Sequence, residues 1–292
     1  MASRPHLYHR AEELAAGLPP LLVAADRVAA TVSQGVHGRR RVGQGETFWQ
    51  FRQYHHGDSV QQIDWRQSAK TQSEFVRQTE WEAAQCVWIW RDASSSMDYR
   101  SRRRLPMKSE RTDLLALALA SLLIRGGEFI SLIGAENGPA TGRSALNQMA
   151  LTIEHGQLSQ NSVPPLQRVP RYARMVLFSD FFAPLDEIKA ALEPYANGGV
   201  RGHLIQILDP AEETLPFKGR VRFVGMENEG DVLFGRVEGV RESYSQTLEN
   251  HHEGLDALVR SAGWTLTTHR TDRSPETVLM SLYLLLSQSM GL

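Results

Sequence analysis

The sequence predicts an α/β fold: a doubly wound, mostly parallel sheet with helices packed on both faces. Three features predict it. The run Cys86-Val87-Trp88-Ile89-Trp90 is short and continuously apolar, the composition of a strand covered on both sides. Beyond it, further apolar runs alternate with amphipathic stretches of helical length, the pattern of βαβ units. Two of the runs lead directly into carboxylate-bearing polar segments, at the edge where open α/β sheets present their binding sites.

The elements follow in chain order. Residues 7–34 read as two helical pieces broken at Pro19-Pro20, and Leu21, Leu22, Ala25, Val28, Ala29 and Val32 give the second an apolar packing stripe. The glycine- and arginine-rich stretch 35–45 reads as a loop, 46–72 as a polar segment with interspersed aromatics, and 74–82 as a strand. After the strand 86–90 comes a helix over 110–125, apolar enough to require near-complete enclosure. Strands are expected at 129–133, 174–178, 203–208 and 264–268, and helices at 144–154, 185–195, 241–261 and 275–287. Glu227-Asn228-Glu229-Gly230, between the runs 220–225 and 231–234, marks an inserted β-hairpin. The organisation expected is an N-terminal helical and extended segment, 1–79, followed by the α/β domain, 80–292.

Composition narrows the function classes. With 292 residues and 41% apolar residues the chain can bury a full core. A formal net charge of -1 gives no general attraction to nucleic acid or anionic membranes, and the runs Arg39–Arg41 and Arg102–Arg104 read as solvated loops. The longest nearly unbroken apolar run, 114–124, is about half of the ~20 residues a membrane span needs. Residues 1–20 lack a signal-peptide layout, so a cytoplasmic location is expected. Cys86 is the sole cysteine, which excludes an internal disulfide, and it reads as a small core hydrophobe. The neighbours His55-His56 and His251-His252 diverge in direction and do not form a zinc site.

The carboxylate-bearing segments are Asp92-Ala93-Ser94-Ser95-Ser96 and Ser179-Asp180. Asp-x-Ser-x-Ser leaving a buried strand offers a carboxylate and two hydroxyls on one side of a turn, a donor set suited to a hard cation that keeps several waters. Asp180, after a later strand, is expected to reach the same place directly or through water. The alternative is a serine-rich turn and helix cap. Upstream, Gly57-Asp58 and Asp64-Trp65-Arg66 read either as a clasp tying the N-terminal segment to the sheet, with Arg66 forking onto a carboxylate such as Asp58, or as a partner-binding face.

Asp92-Ala93-Ser94-Ser95-Ser96-Met97 followed by Ser179-Asp180 resembles the metal-ion-dependent adhesion site of von Willebrand factor type A domains. Together with Gly45-x-x-Phe48, Arg52-x-Tyr54, Gly57-Asp58, Ile63-Asp64-Trp65-Arg66-x-Ser68-Ala69 and Val76-Arg77, it resembles the bacterial family called domain of unknown function 58, over about residues 40–290. The resemblance implies a three-layer von Willebrand type A-like domain without catalysis of its own. It further implies an adaptor or chaperone-like partner of a MoxR-type AAA+ ATPase, and Mg²⁺ or Mn²⁺ held by Asp92, Ser94, Ser96 and Asp180. A complete adhesion site adds a threonine from a second loop. Thr141 and Ser144 are the hydroxyls available in 138–144, and Thr141 is carried as that ligand although no motif supports it.

The enzymatic alternative is a Mg²⁺-dependent phosphohydrolase with Asp92 as nucleophile. Against it, Ser94 stands where such enzymes place a second aspartate, and no lysine follows at the expected position. No Gly-x-Ser-x-Gly elbow and no glycine-rich phosphate loop is present, which argues against a serine hydrolase or a nucleotide-binding enzyme.

Overall fold

The computed structural model describes residues 41–43, 47–54, 63–70, 74–81, 86–156, 158–226 and 230–288. The helical pieces expected within 7–34, and Gly57 and Asp58, lie outside these.

The apolar runs become strands β4 (Cys86–Arg91), β5 (Phe129–Leu132), β6 (Arg174–Ser179), β7 (Arg201–Leu208) and β10 (Thr265–Arg270). They form one sheet in the order β5-β4-β6-β7-β10, every pairing parallel. Parallel neighbours need long crossovers, supplied by helices α2 (Lys108–Arg125), α3 (Gly142–Glu154), α4 (Leu185–Asn197) and α6 (Arg241–Ser261), with α7 (Pro275–Gln288) closing the described chain. An antiparallel bridge from Ala140 to Ile130 extends the outer edge at β5.

Strand alternation sorts the side chains into two cores. Val87, Ile89, Val176, Phe178, Ile205 and Ile207 face α2, α3 and α7. Trp88, Trp90, Met175, Leu177 and Leu204 face α4 and α6. The result is the three-layer α/β architecture that the von Willebrand type A resemblance implies. Helix α2 is enclosed as its composition requires, with Leu115 to Ala120 all at or below 1% exposed.

The chain passes from β4 outward to β5, then back across β4 to β6. The carboxyl ends of β4 and β6 therefore flank the point where the winding reverses, the natural crevice of such a sheet.

Two parts differ from the sequence expectation. Residues 41–81 hold a three-stranded antiparallel sheet in the order β1-β3-β2, made of β1 (Arg41–Gly43), β2 (Thr47–Gln53) and β3 (Phe75–Trp81). The stretch read as loop and polar segment thus contains two strands. A register shift between Phe48 and Gln50 breaks the two-residue alternation that would have marked β2. The second difference is a short helix, α5 (Pro210–Thr214), directly after β7. The hairpin β8 (Val221–Val224) and β9 (Asp231–Phe234) is present as expected.

Candidate functional site

Asp92 leaves β4 level with Ser179 at the end of β6, continuing the register Arg91↔Phe178. The Ser179 hydroxyl donates to Asp92 Oδ2 at 2.6 Å and the Ser94 N–H donates to Oδ1 at 2.8 Å. Asp92 is fully buried, and that burial raises its pKa against the lowering effect of these bonds, with the Asp180 charge adding to the rise. The Ser94 and Ser96 hydroxyls lie 3.0 Å apart, one bonded to the other. Met97, fully buried, fixes the 3₁₀ turn Ser95–Met97 that carries them.

Asp180 sits one residue beyond Ser179 and turns toward α2. Its Oδ2 accepts from Lys108 Nζ at 2.8 Å and its Oδ1 from the Phe182 N–H at 3.1 Å. Phe181 adopts a left-handed φ of 53°, a strained conformation for a bulky residue. The Ser179 hydroxyl receives the Phe181 N–H at 2.9 Å, and a His251 ring nitrogen lies 2.7 Å from the Phe181 carbonyl, so the turn is held from both sides.

Lys108 is the first residue of α2 and is wholly buried. Its ammonium also donates to Glu212 Oε1 at 2.5 Å. Burial by itself would depress the lysine pKa; the Asp180 and Glu212 carboxylates outweigh it, so the net shift is upward and the side chain stays charged. Burial pushes the Glu212 pKa up, against the lowering effect of Lys108. Glu212 Oε2 accepts the Asp209 N–H at 2.8 Å, while Asp209 accepts the N–H groups of Ala211 at 2.8 Å and Ser101 at 2.9 Å. Asp209 thereby caps α5 and anchors the loop after β4.

The start of α2 is bolted to the same rim. Arg91 at the end of β4 pairs with Asp113 at 2.7 Å, and Arg111 donates to the carbonyls of Thr271 and Arg273 beyond β10, both at 2.9 Å.

Thr141 requires a correction. Its hydroxyl donates to the Glu128 carbonyl at 2.9 Å, just before β5, and Phe129 is level with Cys86, the first residue of β4. Six residues of strand, at about 3.3 Å each, separate that level from Asp92. Thr141 therefore sits at the amino edge of the sheet, about 20 Å from the expected ligands, because the segment before α3 pairs back along β5.

The residues present do not complete a divalent-ion site. Asp92, Ser94 and Ser96 converge, but the second carboxylate is engaged by an ammonium and the expected threonine is at the opposite edge. Among the described residues no group of three or more His, Cys, Asp and Glu side chains is placed to hold a metal ion.

In the upstream motif, the backbone and Ser68 tie residues 63–68 to β3, within the N-terminal segment itself. The Asp64 N–H donates to the Phe75 carbonyl at 2.8 Å, the Ser68 hydroxyl accepts the Phe75 N–H at 2.8 Å, and Ile63 bridges to Val76. The short helix α1 (Trp65–Ser68) presents Trp65, 62% exposed, and an exposed Arg66. Elsewhere, burial and the Glu128 charge push the Cys86 thiol up to about 12, which leaves it protonated and unreactive.

Residues the sequence reading passed over complete the site. Lys108 and Glu212 belong to it, and both had a readable signal. Asp209-Pro210-x-Glu212 spells a capping box with proline at the first helical position, and Lys108-x-x-Arg111-Thr112-Asp113 is a polar prelude to the apolar helix.

A family profile described as "Protein of unknown function DUF58" matches residues 50–254. The chain belongs to the DUF58 family. An uncharacterized protein of Mycobacterium bovis, and its counterparts in two Mycobacterium tuberculosis strains, are each 27% identical over 280 residues, covering 89% of this chain and 86% of theirs. Among solved structures, BatB of Bacteroides thetaiotaomicron is similar at 14% identity and a TM-score of 0.38, covering 70% of this chain and 100% of that one. An aerotolerance-related membrane protein of Bacteroides fragilis gives 15% and 0.40 with the same coverage, and the SpRpn10 VWA domain 13% and 0.35, with 68% and 95% covered. Such scores are too low to bear on function; strand order and layering establish the fold of this DUF58 chain. No helix among its described residues is long and apolar enough to cross a membrane.

Proposed function

We propose that this DUF58 protein is a non-enzymatic, cytoplasmic interaction module, an adaptor or chaperone-like partner of a MoxR-type AAA+ ATPase, and that it engages that partner at the carboxyl rim of its sheet. One observation carries the reading. Beside the rim, the hairpin β8–β9, α5 and α6 enclose an open hollow of about 470 Å³ lined by Tyr99, Phe217, Phe223, Phe234 and Tyr244. The three phenylalanines stack edge to face, with centroids 5.6 and 5.9 Å apart. The hairpin also leaves Val224, Val232 and Leu233 between 53% and 66% exposed. Clustered apolar exposure rimmed by charge is characteristic of a surface that docks another protein. Tyr99 and Glu212, which line the hollow, belong to the Asp92 loop and the Lys108 cluster, so the surface is continuous with the rim.

The test is co-elution of the purified chain with a MoxR-type ATPase from the same organism. Val232→Asp, on the hairpin face that carries Phe223 and Phe234, is expected to abolish co-elution while the fold is kept. Unchanged co-elution would remove the surface from the reading, and no co-elution with the native chain would remove the partner.

The phosphohydrolase alternative gains one residue it had lacked, since Lys108 lies at the rim. Lys108 nevertheless serves Asp180 and Glu212, while Asp92 is 0% exposed with a donor on each oxygen and Ser94 in place of an acid. A carboxylate so engaged cannot reach a phosphorus atom. The expected result is no turnover of p-nitrophenyl phosphate with millimolar Mg²⁺; turnover lost in Asp92→Asn would reverse the assignment.

A further inference from the structure

We propose that Lys108 is the resident cation of the rim: its ammonium neutralises Asp180, the carboxylate a divalent ion would need from β6, and the site is metal-independent. The assignment does not depend on what the rim binds.

Four acidic side chains lie along the carboxyl rim from β4 to β7, and each of their oxygens already has a donor. Asp92 has Ser94 N–H and the Ser179 hydroxyl. Asp209 has the N–H groups of Ala211 and Ser101. Asp180 has Phe182 N–H and Lys108, and Glu212 has Asp209 N–H and Lys108. Two of the four are thus neutralised by backbone and hydroxyl dipoles. The other two, from the ends of β6 and the helix after β7, share a single ammonium. A site built for a hard divalent cation leaves carboxylate oxygens aimed at a common point, with water completing the shell. Here the common point of Asp180 and Glu212 is Nζ.

The lysine is anchored at both ends. Its N–H donates to the Tyr99 carbonyl at 3.1 Å, and the ammonium lies 5.9 Å from the Tyr99 ring centroid and 5.4 Å from that of Phe182. Tyr99 belongs to the loop after β4 and Phe182 to the turn after β6, so one cation ties together the two segments that a metal would bridge. Unlike a metal it is covalently supplied and cannot be chelated, so the rim keeps one geometry at any free Mg²⁺ concentration.

The experiment compares Mn²⁺ binding, followed by electron paramagnetic resonance, and thermal melting for the native chain, Lys108→Met and Lys108→Met with Asp180→Asn. The native chain is expected to bind no Mn²⁺ at sub-millimolar concentration and to melt identically with EDTA or with millimolar Mg²⁺. Lys108→Met keeps the aliphatic stem but leaves the buried Asp180 and half-buried Glu212 carboxylates facing each other; it is expected to melt many degrees lower and to regain part of the loss with Mn²⁺. If that variant does not fold, the double variant decides, since removing one facing charge is expected to restore folding; failure to restore it would mean that Lys108 acts by shape and would overturn the assignment. Micromolar Mn²⁺ binding by the native chain, lost in Asp92→Ala, would overturn it outright.

Discussion

The central sheet and the hairpin β8–β9 are both built from short apolar strands, yet they stand at opposite extremes of burial. In β6 every residue is buried, and in β7 all but Arg201. In the hairpin β8 alternates between half-buried and exposed, β9 is exposed but for Phe234, and neither strand has a buried residue. The sheet is covered on both faces and its rim is bound by charge pairs that cross between elements. The hairpin rests on Phe217 and leaves its remaining apolar surface in water. Substitutions in the first region should therefore be read as changes in stability, and in the second as changes in association.

The largest effect expected on the stability side is that of Lys108→Met. Removing one member of a buried ion pair strands its partners and costs about 3–5 kcal/mol, and Lys108 has two partners. For a domain of this size each kcal/mol moves the midpoint by about 2–4 °C, so differential scanning calorimetry resolves it readily. Gly202→Ala comes next. A Cβ at Gly202 would lie 1.9 Å from the Trp264 ring, whose indole N–H is held by the Val200 carbonyl at 2.9 Å and so cannot swing away freely. Overpacking of this kind costs about 3 kcal/mol, the upper end of its usual range. A urea midpoint unchanged in Gly202→Ala would show that the β7–β10 edge yields more than its burial implies.

Acid is a milder probe of the same region. His203, on β7, is pulled down to about 4 by burial, with Arg174 and Arg201 adding to the effect. A histidine whose folded pKa is depressed keeps its full contribution above about 6.5 and loses it as pH falls toward 4, because the unfolded chain takes up the proton first. The loss is on the order of 3 kcal/mol. Asp92 and Glu212, both raised, work in the opposite sense and gain as pH falls through their folded values. The histidine part is isolated by subtracting the stability–pH curve of His203→Gln, which is expected to be flatter between 6.5 and 4. Coincident curves would assign the acid sensitivity elsewhere.

How much of this was readable in advance follows the same division. Helix α6 was placed at its observed bounds, 241–261, and most core strands within two residues, because covered strands and amphipathic helices write their burial into composition. That Asp92 and Asp180 both stand at the carboxyl rim follows from topology alone, but the group that meets the Asp92 carboxylate is Ser179, the last residue of β6. What sequence could not supply was the partner of each carboxylate. Asp180 and Ser179 are adjacent, and only the register decides that the serine faces Asp92 while the aspartate turns to α2. Lys108 and Glu212 are 104 residues apart, and nothing local in either marks the pairing. Thr141 was misplaced for a related reason: a hydroxyl in the right loop says nothing about which edge of the sheet that loop revisits.

The smallest expected effect on stability, and the sharpest on association, belongs to the hairpin. Val232 is 54% exposed, so replacing it with aspartate removes little buried area and is expected to shift stability by no more than about 0.5 kcal/mol. Phe223, its cross-strand partner, and Phe234 hold the aromatic stack and remain in place. If the hairpin is a docking surface, a charge placed at Val232 on its apolar face must be desolvated by any partner that covers it, and affinity falls by tenfold or more. The informative result is thus a dissociation: an unchanged melt with lost co-elution of the ATPase. A melt lowered by several degrees would instead show that the exposed side chains carry folding energy, and the contrast between the two regions would fail at its outer end.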